Sequence, residues 1–301
     1  MQHTLLRINI ATRADVSPDW INVWQNIMPK LALEFDNVLY AVFTLSATHM
    51  LQNSGHEDAV YRARQNYFVL ALREQRQAID NMNTHTIDAV CITAILILLA
   101  AFAMLQERTL TEYTPPMDWM QMGRGVNAVM WRTSTAVPQY TSSIHQLVLD
   151  SIPVLGTDID VSNPLPHPFS DILSFDDRTP DYWDQNITDV YERTLHVISS
   201  AQDAINNDEP QYIVGRRIQA FPIVIPERFT DFVKDRQPRA LVVLAHYFGV
   251  MAQVKTDVWF TEAHSLTSER IAYREIRAIA DFLPSDWHTL MEWPLSMIAR
   301  Q

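Results

Sequence analysis

Seventeen consecutive uncharged residues, Ala89–Leu105 (AVCITAILILLAAFAML), set the first constraint on how this chain folds. The run sits at the lower edge of a membrane-spanning helix, about 17–25 residues. Asp88 and Glu107 flank it, and no Lys/Arg cluster adjoins it to set an orientation. A helix that is apolar on every side otherwise belongs at the centre of a large helical domain. We read it as that buried centre and expect no membrane span. The composition agrees, with 48% hydrophobic and 19% charged residues in 301. Glycine occurs 6 times, where average usage would give about 21. That scarcity disfavours a glycine-punctuated β fold and Gly-rich phosphate loops. The single cysteine, Cys91, rules out an internal disulfide framework and any multi-thiolate metal site. At the centre of an apolar helix its thiol is expected to be inert.

The charge argues against nucleic acid as a direct partner. Against 23 Lys and Arg stand 35 Asp and Glu, a formal −12, whereas a polyanion is bound by a basic face. The densest basic clusters, Arg73/Arg76 and Arg216/Arg217, do not extend into a stripe. Met1–Asp15 has no continuous apolar core, so no secretory signal is expected.

Three/four periodicity runs through most of the chain and predicts an all-α fold. Helices are expected over Leu31–Leu51, Asp58–Met82, Asp118 to about Trp131, Asn186 to about Asn206, Phe229–Val233, Gln237–Val254 and Ser268–Phe282. Thr86 or Asp88 is the expected N-cap of the apolar helix. The stretch Ser151–Asp184 is rich in proline and acid and lacks periodicity, which predicts an ordered lid or a linker. Gln211–Ile225 is ambiguous, with the residues after Pro222 readable as a short extended piece.

Several pieces, in order, resemble the regulatory domain of fungal zinc-cluster transcription factors, most closely the sterol-uptake regulators. Trp24, Pro29, Leu31, Ala32, Leu39, Ala41 and His49 resemble its opening helix. Tyr61–Gln77 is similar to the second, and Gly123-Arg124-Gly125-Val126 to a short "RG" element. The strongest likeness is C-terminal: Pro238-Arg239-Ala240-Leu241 through His246-Tyr247, then Trp259-Phe260, Trp287 and Trp293-Pro294. The likeness covers about residues 20–298. It implies a single large helical domain with an internal apolar pocket, a cytoplasmic or nuclear location and, in the sterol regulators, ergosterol sensing. On this reading the chain divides into a helical half 20–150, a lid or linker 151–185 and a helical half 186–298. Two departures matter. One cysteine cannot build the family's six-cysteine DNA-reading cluster, so the chain is either a separated domain or a stand-alone relative. And His264 stands where the family often has a tryptophan.

Candidate residues follow from these pieces. Met117, Met120, Met122 and Met130 cluster with Trp119 and Trp131, and thioethers and indoles adapt to irregular ligands. We expect a pocket between Met117–Trp131 and Pro238–Phe260, lined by Met120, Arg124, Met130, Trp131, His246, Tyr247, Met251, Trp259 and Phe260, with Arg124, His246 and Tyr247 as polar anchors. Each also reads as ordinary core. His49 reads most simply as a packed core histidine, and Glu262 with His264 as a solvated helix start. No metal-ligand spacing, nucleophile elbow or Walker loop appears, so neither metal nor cofactor is expected.

Two functions fit. The first is a regulatory module that binds a small hydrophobic, sterol- or terpenoid-like ligand and acts in transcription, alone, as a homodimer or with a transcriptional partner. The second is a cofactor-free enzyme of fungal secondary metabolism that holds a terpenoid or polyketide for cyclisation or isomerisation of the Diels–Alder type. His246, Tyr247 and His264 would then polarise or protonate the substrate.

Overall fold

The computed structural model describes residues 21–54, 57–136, 144, 164–174, 184–254 and 270–299. Among these the chain is all-α, with no strand. A π-helical turn, Val23–Ile27, leads into α1 (Met28–Glu34), which carries Pro29 in its first turn, where a missing N–H is tolerated. Next come α2 (Asp36–Ser54), α3 (Asp58–Asp80), α4 (Ile87–Met104) and α5 (Met117–Ala136). After the Pro-rich stretch follow α6 (Gln185–Asn206), α7 (Gln211–Val224), α8 (Glu227–Lys234), α9 (Pro238–Gln253), α10 (Ile271–Phe282) and α11 (Glu292–Ala299).

The chain forms two compact units. The described part of the first holds residues 21–54, 57–107, those from Met122 onward in α5, and Ile144; that of the second holds Arg108–Gln121, 164–174, 184–254 and 270–299.

In the first unit α2 packs against α1, α3 and α4, and α3 packs against α4. The predicted opening helix is interrupted at Phe35, whose backbone is extended (φ −123°, ψ 119°). Helix α4 is the expected buried centre, with residues such as Val90, Cys91, Ile92 and Leu96 fully enclosed. It is long and apolar enough to cross a membrane, yet 78% of its apolar window lies inside the protein. Burial pushes the Cys91 thiol up to about 12, so it stays protonated. Thr86 holds the N-cap position but does not cap α4 with its side chain. Its hydroxyl accepts instead from the Asn83 amide at 3.0 Å and closes the preceding turn.

Polar brackets fix this unit. Asn37 of α2 donates to Gln75 of α3 at 2.9 Å, and Gln75 donates to the Val90 carbonyl of α4 at 2.8 Å. Arg64, 1% exposed, makes a two-pronged pair with Glu107, the geometry that a planar guanidinium favours. His49 is buried, as a core residue should be.

In the second unit α9 is central and packs against α6, α8, α10 and α11. The side chain of Asp184 accepts from the Ile187 amide at 2.8 Å and caps α6. Within the expected lid, residues 164–174 form a strap with a tight helical turn at Ser170–Leu173. Its Phe169 and Ile172 are 1% and 0% exposed. Arg239, itself buried, donates to the Ile172 carbonyl and lies 5.1 Å from the Trp287 ring.

The ambiguous stretch is helical: the chain stays in a helix through Pro222, with α7 running to Val224. A proline inside a helix leaves the carbonyl four residues earlier without its amide donor. Here that carbonyl belongs to Ile218, and the Tyr247 hydroxyl donates to it at 3.1 Å. A side chain of α9 therefore replaces the missing donor in α7.

Candidate functional site

The second unit gathers rings around α9. Tyr247 stacks on Phe221 with centroids 4.1 Å apart, and Trp119, from the first turn of α5, lies 5.6 Å from Tyr247 and 6.2 Å from Phe221. The Tyr247 hydroxyl also approaches the Met251 sulfur at 3.9 Å. Phe229 of α8 meets Phe221 edge-on, and Tyr191 of α6 meets Phe229 and Phe232. Met120 and Met251 are buried beside this ring system's helices. Helical spacing explains the grouping: Tyr247 and Met251 are one turn apart on α9.

On a neighbouring face of α9, His246 stacks on Trp293 at 5.2 Å and nearly parallel, 8°. Phe169 of the strap closes edge-on against both rings. Gly249 makes this approach possible, because a Cβ there would lie 2.7 Å from the Trp293 ring. The His246 ring pairs through Nδ1 with the Val242 carbonyl at 2.9 Å. Burial pulls its pKa down to about 4, against the lesser pull of that bond and of Asp171, so the imidazole is neutral near pH 7. Tyr247 is pushed well above the usual phenol range by burial. Its proton is held on the Ile218 carbonyl.

The proposed lining therefore divides. Met120, His246, Tyr247 and Met251 belong to the second unit. Arg124, Met130 and Trp131 belong to the first: Arg124 is half-buried, Met130 is buried and Trp131 is 68% exposed. Trp259, Phe260, Glu262 and His264 lie outside the described residues. Sequence reasoning missed Phe221, Phe229, Tyr191, Phe169 and the Trp293–His246 stack. Aromatic residues on α6, α7 and α8 were the available signal, but nothing in the spacing shows that they converge.

Comparison with known proteins fits this architecture. Residues 7–109 match the fungal specific transcription factor domain. Over 227 residues the chain is 30% identical to the Zn(2)-C6 fungal-type transcription factor afumD of Aspergillus fumigatus, covering 75% of this chain and 59% of that protein. The chain carries a fungal transcription-factor regulatory domain. A Zn(2)-C6 fungal-type transcription factor of Gibberella zeae is 22% identical across 98% of this chain and 60% of its own length. Sterol uptake control protein 2 of Saccharomyces cerevisiae is 22% identical across 80% of this chain and 26% of its own length. The chain thus spans about three fifths of the first two relatives. Likeness to proteins named as transcription factors supports a regulatory role for this chain. The matched domain segment lies largely in the first unit, whereas the ring system lies in the second.

Proposed function

We propose that this regulatory domain binds a small apolar molecule, sterol- or terpenoid-like, in its second unit, and that occupancy is the signal it passes to transcription. The observation that carries this reading is the wall of Trp119, Phe221, Tyr247 and Met251 around α9. Large rings and a thioether offer adaptable apolar surface, the usual lining of small-molecule sites. Likeness to a protein named for sterol uptake control supports the ligand class. Met120 and Met251 are the proposed adaptable contacts, and Trp259 and Phe260 are proposed to add to them.

The polar anchors are weaker than the apolar wall. His246 and Tyr247 already make hydrogen bonds to backbone carbonyls, so neither offers its proton to a ligand without breaking one. The same engagement gives the cyclase reading no support from this pair. The test is native mass spectrometry of the full chain purified from its own host, followed by organic extraction. One co-purifying apolar molecule per chain is expected. An empty protein that also shows no thermal shift with ergosterol or farnesol overturns the reading.

A further inference from the structure

Helix α3 packs inward through Arg64, Ala71 and Gln75, which are buried against its neighbours in the first unit. Its outward side carries a row that these contacts do not use: Arg62, Gln65, Val69, Leu72, Arg76 and Ile79. Arg62, Val69 and Arg76 are exposed, Val69 by 63%, and Gln65, Leu72 and Ile79 are half-buried. The six stand three, four, three, four and three residues apart. That alternation is the seam of a two-stranded coil, where an average step of 3.5 residues keeps one line of side chains facing a partner helix.

The steps read the same in both directions. A second copy of α3 laid antiparallel therefore meets the first position for position: Val69 faces Leu72, Gln65 faces Arg76, and Arg62 faces Ile79. The residue types match as well as the spacing. Val69 and Leu72 make an apolar centre, contributed twice, and the aliphatic stem of Arg62 can cover Ile79. Asp80, also exposed, lies about five helical turns from Arg62 and so on the same line of the helix. Antiparallel pairing brings each Arg62 to Asp80 of the second copy. Among the described residues Arg62, Arg76 and Asp80 form no ion pair within the chain, whereas Arg73 on the same side is engaged by Glu74.

We propose that α3 is a homodimer surface: two copies of this chain pair through antiparallel α3 helices, with Val69 and Leu72 at the centre and an Arg62–Asp80 ion pair at each end. The contact is isologous, so it closes at two copies. Six seam residues a side fall short of the about 20–30 of a standard interface, so the dimer belongs to the weak class, with a dissociation constant in about the micromolar range. The surface lies in the first unit and is independent of the apolar-ligand reading.

The experiment is sedimentation velocity on the full chain from about 1 to 200 µM, a span that brackets a weak dimer. The wild-type chain is expected to pass from monomer to dimer across it. Val69→Asp, Arg62→Asp and Asp80→Arg should each weaken association by about 10-fold or more. All three positions are exposed, so circular dichroism of the dilute monomers should be unchanged. The decisive sample mixes Arg62→Asp with Asp80→Arg. In either pure variant both end contacts bring like charges together, whereas in the mixed pair both bring opposite charges together. The mixture should therefore dimerise within about 3-fold of wild type while each component alone stays monomeric. A wild-type chain that remains monomeric throughout overturns the inference. So does a dimer that the single variants leave intact, or a mixture that associates no more tightly than its components.

Discussion

Helices α4 and α9 are the two most deeply buried of their units, but they differ in chemistry. Helix α4 is itself almost wholly aliphatic, with Phe102 its one ring, and is tied to its neighbours by a few polar bonds such as Gln75 to Val90. Helix α9 lies among rings: Phe221, Trp119, Phe248, Trp293 and Phe169 crowd Tyr247 and His246. Burial alone therefore says little about role. Aliphatic side chains only exclude water, whereas a shell of rings and thioethers also presents faces and edges that a flat apolar molecule can match.

Truncation is the largest way to break this comparison. Phe221 touches Trp119, Phe229 and Tyr247, so Phe221→Ala should cost about 3–5 kcal/mol, against about 2–5 for Leu96→Ala in α4. Urea denaturation measures both. A smaller loss at Phe221 than at Leu96 would show that the rings collapse easily into the gap.

Acid titration separates the regions next. His246, at about 4, refuses a proton that the unfolded chain accepts below about 6.5, so its contribution to stability falls as pH drops through that window. Glu275, at about 7, keeps a proton that the unfolded chain releases above about 4.5, so its contribution falls as pH rises. The two slopes oppose one another in the second unit. In the first unit Asp88 of α4, pushed up to about 6 by burial, has the sign of Glu275. Relative to wild type, His246→Phe should lose up to about 1.4 kcal/mol of stability per pH unit on going from about pH 4.5 to 6.5, and Glu275→Gln should gain as much. Melting curves across that range check it. Parallel wild-type and variant profiles would contradict it.

The link between α7 and α9 gives a third, smaller effect. Tyr247→Phe strands the Ile218 carbonyl that Pro222 cannot serve, at about 1–3 kcal/mol. In a Pro222→Ala background the alanine amide takes over, and the same change should cost about 1 kcal/mol or less. A double-mutant cycle with no coupling would dissociate the hydroxyl from the proline.

This link also shows where the sequence stops being legible. The central helices could be read because a continuous apolar run or an unbroken three/four pattern is a local property. The helical path through Pro222 could not, because its cause is a hydroxyl on another helix. The break at Phe35 carries no proline or glycine to announce it. Burial of Phe169 and Ile172 inside a Pro-rich stretch depends on Arg239, far along the chain. The candidate site was half legible: Tyr247 and Met251 share a helix face, but Phe221 and Trp119 reach them only through the fold. The buried pairing of Tyr113 with Glu275 was invisible, since neither residue is unusual until the connector before α5 lies on α10.

The smallest expected effect concerns Trp131 of α5, next to the buried Met130. Met130 is 9% exposed and Trp131 68%, because one residue turns a helix by about 100° and carries the next side chain off the buried face. Met130→Ala removes packed atoms and should cost about 2–5 kcal/mol. Trp131→Ala removes a ring that is mostly in water and should shift stability within about ±0.5 kcal/mol. Trp131 should also contribute solvent-exposed emission, so the variant spectrum should move to shorter wavelength. A loss well beyond that range, or an unmoved spectrum, would mean that Trp131 is covered in solution. That result would return it to the candidate ligand wall and place adaptable aromatic surface in the first unit as well as around α9.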